Sequence, residues 1–120
     1  VAERLAEAAV DGEAEVAPGV SVLPTGGHSA GHQVVLVRGR DAVVWFAGDL
    51  APRPWAANPR WITTYDDFPL TSVARKAALF RQASAEGWLV VCSHEPERPV
   101  GRLGAEGDRY RFDPLQPPTK

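Results

Sequence analysis

Short apolar runs that end at turn residues dominate the hydrophobic pattern of this chain. They are rich in valine, leucine and aromatic residues, which is typical of strands in a sheet. Strands are predicted at 20–23, 33–37, 42–46 and 88–92, with shorter ones near 100–103 and 109–112. Turn-forming residues separate the second run from the third, so we expect a β-hairpin with both strands largely buried.

One segment has the spacing of a helix instead. Its apolar residues recur at three- and four-residue intervals, namely Val73, Ala77, Phe80 and Ala83. This spacing predicts a helix over 71–86 that buries one face against a sheet. Thr71 or Ser72 is a suitable N-cap, and Gly87 is a suitable residue to end the helix.

The two ends of the chain predict less regular structure. Residues 1–19 begin with helix-forming alanine, glutamate and leucine and then contain the breaks Asp11-Gly12 and Pro18-Gly19, so we expect a short helix and a turn. The proline-rich end, LQPPTK, is expected to fray. The chain opens with Val1 and contains no methionine, so we interpret its start as cut.

Composition and charge narrow the class of protein. The chain has 120 residues, 44% of them hydrophobic and 23% charged, which fits one small globular domain. A formal net charge of −2 gives no basic surface for nucleic acid or an anionic membrane, and no apolar run is long enough to span a bilayer. Because Cys92 is the single cysteine, we interpret it as a buried thiol and expect a cytoplasmic location.

Residues 50–69 form a long segment rich in proline and aromatic residues. A loop of this length inside a small domain is often functional or a lid. Its aromatic residues are candidates for the wall of a substrate pocket or, equally, for a packing or dimer patch. These residues are Trp55, Trp61, Tyr65 and Phe68. Arg53 and Arg60 are candidates to bind a substrate carboxylate, with solvated surface charge as the alternative.

Three polar residues lie on loops at the ends of predicted strands: His28, Asp49 and His94. Strand ends are where α/β scaffolds place chemistry, because the strand fixes the base of the loop. Imidazole nitrogens and a carboxylate form a mixed ligand set suited to zinc, iron or manganese. From the residues alone, a metal site and three hydrogen-bonded loop residues both remain open.

Three short motifs resemble the metallo-β-lactamase superfamily. The segment TGGHSAGHQ at 25–33, followed by a predicted hairpin and then Ala47-Gly48-Asp49, is similar to the family's TPGHTxGH loop, two strands and GD turn. The segment VVCSHE at 90–95 resembles the strand that ends at the family's last ligand histidine. The resemblance covers roughly residues 20–105. It implies an α/β (α+β) fold, the C-terminal half of a four-layer αββα sandwich, with one mixed sheet, one long helix and an apolar opposite sheet face.

The resemblance also implies a role for each polar residue. His28 would bind a first metal ion and His94 a second, while Asp49 would bridge both ions and be the catalytic carboxylate. Two zinc ions are the expected cofactor in the intact parent, with iron or manganese as alternatives. His32 matches a family histidine that does not bind metal, so we expect it to lie behind the ligands and orient their loop.

One part of the family pattern is missing from these 120 residues. The family's N-terminal HxHxDH motif supplies the other ligands of both metals, whereas the three histidines here are His28, His32 and His94. A catalytic zinc normally has three protein ligands. We therefore expect residues 1–120 to form a single partial domain that is inactive alone.

In the intact parent, the resemblance implies a hydrolase that uses a metal-bound hydroxide against an ester, lactone or similar acyl substrate. The segment 65–70 is similar to lactonase-type members, but the tyrosine that such lactonases carry shortly after the bridging aspartate is absent here. A glyoxalase-like thioester hydrolase and a mono-iron sulfur dioxygenase of the same fold are alternatives. A degenerate binding or structural module is the non-enzymatic alternative. The expected partner is a small-molecule substrate, and a homo-oligomer stays open.

Overall fold

The computed structural model of the chain describes residues 12–116. In that range the strands are β1 (Ala14–Ala17), β2 (Val20–Pro24), β3 (Gln33–Arg38), β4 (Val43–Phe46), β5 (Leu89–Val91), β6 (Val100–Glu106) and β7 (Arg109–Pro114). One long helix, α1, spans Pro69–Glu86, and two short 3-10 helices, Gly48–Leu50 and Pro54–Ala57, precede it. The helix expected near the start lies outside the described residues, and so do residues 117–120 of the end that was expected to fray. Leu115, the first residue of that end, donates its backbone N–H to the carbonyl oxygen of Val100 at 2.8 Å. None of the described helices is long and apolar enough to cross a membrane.

The strands form one seven-stranded sheet whose spatial order follows the chain order. Neighbouring strands are antiparallel except for β4 and β5, which run parallel and are connected through α1. The six predicted strands and the hairpin of β3 and β4 are confirmed, with bounds that shift by a few residues. The fold is therefore the expected mixed sheet with one long helix.

The prediction of a short helix and a turn for residues 1–19 left out a strand, β1. Ala14–Ala17 is a strand that pairs antiparallel with β2 across the Pro18-Gly19 turn. Alanine and glutamate favour a helix locally, but hydrogen bonds to a neighbouring strand override that weak preference. The predicted turn is present, and the strand in front of it was missed.

The start and the buried face of α1 also differ from the prediction. The helix begins at Pro69, with Phe68 as its N-cap residue, rather than at Thr71 or Ser72. Proline suits the first helical position because it lacks the N–H that would have no partner there. The predicted end is confirmed, since Gly87 is the left-handed C-cap residue. The buried residues of the helix are Ser72, Lys76, Leu79, Phe80 and Ala83, while Val73 and Ala77 are half-buried.

The core lies between α1 and one face of the sheet. Trp45 of β4 is fully buried and makes edge-to-face ring contacts with Phe80 of α1, at 5.7 Å, and with Trp88, at 6.2 Å. Phe80 also contacts Tyr110 of β7 at 5.6 Å between ring centroids. Large buried aromatic side chains contribute most of the apolar area in a small core. This cluster therefore fixes α1 on the sheet.

The opposite face of the sheet is apolar, as expected. Register pairing places these residues on it: Val20, Val22, Val35, Val37, Val44, Phe46, Leu89, Val91 and Val100. Each is half-buried or exposed, and Phe46 is 44% exposed. The prediction that both hairpin strands are largely buried was wrong for this face, because α1 covers only the other one.

A lysine lies in the buried face of α1. Lys76 is only 1% exposed, and its Nζ donates a 2.6 Å hydrogen bond to the carbonyl oxygen of Trp61. The Nζ atom also lies 5.8 Å from the centroid of the Phe80 ring. Burial lowers the pKa of Lys76 from 10.5 to about 8. The hydrogen bond of Lys76 thus connects the loop at residues 50–69 to the helix, although burial of the amine is unfavourable.

Replacing this lysine is expected to change how stability depends on pH. Between pH 8 and 10.5 the folded chain has lost the Lys76 proton that the unfolded chain keeps, so stability rises with pH in this window. Lys76→Met removes that contribution. From pH 7 to pH 10.5 the wild-type chain should gain up to about 3 kcal/mol relative to the variant. Urea unfolding of both chains at several pH values measures this, and a difference that stays constant with pH would contradict it.

Candidate metal centre

His28 lies at the tip of the loop between β2 and β3. The backbone N–H groups of Thr25 and Gly26 both donate to the carbonyl oxygen of His32, at 3.0 and 3.1 Å, which closes the loop. Gly27 has a φ of 83°, and a Cβ there would lie 2.4 Å from Ser72 Oγ. Only glycine suits this position, because a side chain would be strained and would clash. The glycine thus lets the loop approach the start of α1.

Asp49 follows β4 through a second tight glycine. Gly48 has a φ of 56°, and a Cβ there would lie 2.8 Å from His32 Nε2. The backbone N–H of Asp49 donates to the same His32 nitrogen at 3.0 Å. Because Nε2 accepts this hydrogen bond, the neutral His32 ring carries its proton on Nδ1, which lies 2.6 Å from Thr25 Oγ1. Burial lowers the pKa of His32, which favours this neutral form.

His94 follows β5 on a loop that is held to the β4 side of the sheet. Its backbone N–H donates to the carbonyl oxygen of Pro52 at 2.9 Å. The hydroxyl of the preceding Ser93 donates to the carbonyl oxygen of Gly48 at 3.0 Å. The side chain of His94 is 62% exposed. The loops that carry Asp49 and His94 are therefore hydrogen-bonded to one another.

The structure brings the three predicted ligands together. Asp49 Oδ1 lies 2.8 Å from His94 Nε2, and Asp49 Oδ2 lies 3.4 Å from His28 Nε2. Each imidazole therefore contacts a different oxygen of the same carboxylate. This spacing is suitable for one carboxylate between two neighbouring metal positions, each with one histidine.

The donor chemistry fits zinc, iron or manganese, but the number of donors falls short. Each oxygen of Asp49 is accompanied by one histidine nitrogen, whereas a catalytic zinc normally has three protein ligands. Within residues 12–116 no group of three or more histidine, cysteine, aspartate or glutamate side chains is arranged to hold a metal ion. These described residues can therefore supply part of a metal site and not the whole of one.

Asp66 is a site residue to which sequence analysis assigned no role. Its Oδ1 lies 3.0 Å from His28 Nδ1, and its side chain is 3% exposed. Thr63 Oγ1 donates to Oδ1 at 2.9 Å, and Ser72 Oγ donates to Oδ2 at 2.6 Å. The sequence shows two adjacent aspartates in front of a helix. This pattern alone does not indicate which of the two side chains is buried.

The hydrogen bonds around Asp66 also set its ionisation. Burial favours the neutral acid, but the bonds from Ser72, His28 and Thr63 together hold the pKa of Asp66 below its ordinary value. The same contact is the largest cause of a raised pKa at His28, which burial opposes. Asp66 is therefore a carboxylate that accepts the Nδ1 proton of His28.

A cavity of about 540 Å³ opens beside these three side chains, His28, Asp49 and His94. Its lining residues are His28, Asp49, Pro52, Arg53, Trp55, Thr63, Tyr65 and His94. Of the aromatic residues proposed for a pocket wall, Trp55 and Tyr65 line this cavity. Trp61 and Phe68 are exposed elsewhere, and Trp61 lines a separate depression with Tyr110.

Cys92 lies in the apolar run before His94 and has the environment of a packed thiol. It is buried, and burial raises the pKa of its thiol to about 12. A thiol with so high a pKa is a poor nucleophile at neutral pH.

Comparison with known proteins connects the chain to solved structures of hydrolases. No family model and no curated protein matches it. A probable metal-dependent hydrolase from Staphylococcus aureus is 22% identical, with a TM-score of 0.80 over 92% of this chain and 40% of its own. The hydrolase AbOPH of the β-lactamase superfamily is 21% identical, with a TM-score of 0.77 over 86% of this chain and 36% of its own. AidC, a dizinc quorum-quenching lactonase, is 15% identical, with a TM-score of 0.79 over 92% of this chain and 38% of its own.

At this level of identity the likeness shows the fold. The chain spans 36–40% of the length of these three structures, so it matches a part of each. Its seven-stranded mixed sheet with one helix is what the C-terminal half of such a protein should contain. The chain therefore has the fold of a partial metallo-β-lactamase domain.

Proposed function

We propose that this chain is the C-terminal half of a metal-dependent hydrolase that acts on an ester, a lactone or a similar acyl substrate. The observation that carries the proposal is the Asp49 carboxylate, whose two oxygens contact His28 and His94 separately. The fold supports it, because solved structures with this fold include a probable metal-dependent hydrolase and a dizinc lactonase. These three side chains belong to three separate loops, and a compact fold does not by itself bring them into contact.

In the proposed site His28 and Asp49 would hold one metal ion, and His94 together with the same carboxylate would hold the other. Zinc is the proposed metal, and the remaining ligands come from a part of the protein other than these 120 residues. Bound metal would supply Lewis-acid chemistry, which polarises an acyl carbonyl and lowers the pKa of water. The residues of this chain hold the ligands in place and form an apolar wall at Trp55 and Tyr65.

Two residues behind the ligands fix their orientation. Asp66 accepts the Nδ1 proton of His28, so the Nε2 atom that faces Asp49 has its lone pair free for a metal ion. His32 accepts a hydrogen bond from the backbone N–H of Asp49 and thereby fixes the position of the backbone from which the Asp49 side chain extends. Ligands held in this way are ordered before metal binds, which lowers the entropy cost of binding.

The proposal is tested on the full-length product of the gene that encodes this chain. We expect two zinc ions per protein by elemental analysis and hydrolysis of an acyl homoserine lactone, a simple ester or a thioester. Asp49→Asn should reduce the metal content and lower kcat/KM by about 1,000-fold or more, because a catalytic metal contributes several kcal/mol. The chain of residues 1–120 alone should show no hydrolysis above the buffer rate.

Asp108→Asn is the matched control, since Asp108 is an exposed carboxylate that contacts Arg60 away from the cavity. It should leave both metal content and rate unchanged. If Asp49→Asn keeps both metals and the full rate, the proposed ligand set is wrong. If the full-length protein binds no metal and hydrolyses none of the three substrates, a binding or structural module is the better interpretation.

The positioning role of Asp66 makes a separate prediction. Asp66→Asn keeps the size of the side chain but removes the charge that accepts the His28 proton. The zinc affinity of the full-length protein should fall by about 10- to 100-fold, as measured by competition with a chelating dye. Asp67→Asn is the control, because this neighbouring carboxylate is exposed. Equal affinities for the two variants, with folding confirmed by circular dichroism, would rule out the role of Asp66.

A further inference from the structure

One charged side chain that lines the cavity has no partner among the described residues. Asp49, the carboxylate of the cavity wall, contacts His28 and His94. Arg53 lines the same cavity, and its side chain makes no hydrogen bond or ion pair with any residue of the described range 12–116. By contrast, Arg60 in the same loop pairs with Asp108 at 3.4 Å.

The backbone around Arg53 is fixed next to the metal ligands. Pro52 accepts the backbone N–H of His94 at 2.9 Å, and Arg53 itself accepts the backbone N–H of Ala56 at 2.9 Å. Pro54 follows directly and restricts Arg53 to the extended conformation that it adopts, with φ −143° and ψ 161°. The guanidinium therefore extends from an anchored base at the edge of the cavity.

The remaining cavity wall is suited to an apolar group. Pro52, Trp55 and Tyr65 supply apolar surface, and Thr63 supplies a hydroxyl. A binding site of this kind typically combines apolar walls with a few polar groups that fix the orientation of the ligand. A planar guanidinium suits a carboxylate in particular, because it can donate two parallel hydrogen bonds.

We propose that the substrate is an ester or other acyl compound that also carries a free carboxylate, remote from the bond that is hydrolysed. Arg53 binds this carboxylate while the apolar portion of the substrate packs on Trp55 and Tyr65. This inference rests on the proposed function, since it places the scissile acyl group at Asp49 and the two histidines. Arg53 is then a residue that determines specificity and takes no part in the chemical step. A neutral ester of the same length lacks the group that Arg53 binds and should be a poorer substrate.

Matched esters test this in the full-length gene product. Monobenzyl glutarate carries a terminal carboxylate where benzyl pentanoate carries a methyl group. We expect kcat/KM to favour the glutarate ester by about 10-fold or more, the range for a hydrogen bond to a charged group. Arg53→Met should remove the preference, and Arg53→Lys should retain part of it. Arg60→Met is the control and should leave the preference unchanged, because Arg60 does not line the cavity.

A benzyl ester with a terminal phosphonate distinguishes a carboxylate site from a general anion site. It should be hydrolysed more slowly than the glutarate ester, and a phosphonate preference would overturn the assignment of a carboxylate. Equal rates for the glutarate and pentanoate esters, unaffected by Arg53→Met, would overturn the inference and leave the proposed function standing.

Binding can be measured without turnover. Monobenzyl glutarate added to the metal-free full-length protein should shift the Arg53 Nε–H signal in ¹⁵N-resolved spectra, a signal assigned by its loss in Arg53→Lys. A shift in this protein together with no hydrolysis by the zinc-loaded protein would support the carboxylate site and refute the hydrolase. No shift would overturn the carboxylate site.

Discussion

The parallel pairing of β4 with β5 is the constraint on which the site depends. Phe46 pairs with Val91, and Asp49 and His94 each follow three residues after these partners. Parallel neighbours end at the same edge of a sheet, so equal offsets place the carboxylate and the imidazole side by side. The antiparallel pairing of β3 with both β2 and β4 returns the loop that carries His28 to that edge. One register thus positions three residues that are far apart in sequence.

Helix α1 connects the core to this edge. Its middle packs Phe80 against Trp45, while its first turns present Ser72 to Asp66 and Lys76 to the carbonyl of Trp61. A polar group buried in a helix face is costly unless it has a partner, and both of these have one. Displacement of α1 would therefore disturb the support of His28 as well as the core, so site geometry and stability are coupled through this helix.

The pattern of the sequence predicted the strands, the helix and the three residues at strand ends, because each depends on local periodicity or a short motif. The features that the pattern did not predict depend on contacts between residues that are distant in sequence. β1 forms through pairing with β2, and Lys76 and Ser72 are buried only because Trp61 and Asp66 lie opposite them. The inward orientation of Asp66 and the lack of an ion pair at Arg53 within residues 12–116 are equally invisible in a pattern of polar and apolar positions.

The exposed apolar face of the sheet and the small number of ligands at Asp49 have the same explanation. The sheet face opposite α1 leaves valines and Phe46 partly exposed, and monomeric proteins rarely expose an apolar surface of this extent. The site beside Asp49 offers one histidine to each of its oxygens, which is too few for a catalytic metal. A half-domain, matching 36–40% of longer hydrolases, explains both, because the same missing portion would cover the face and complete the ligands.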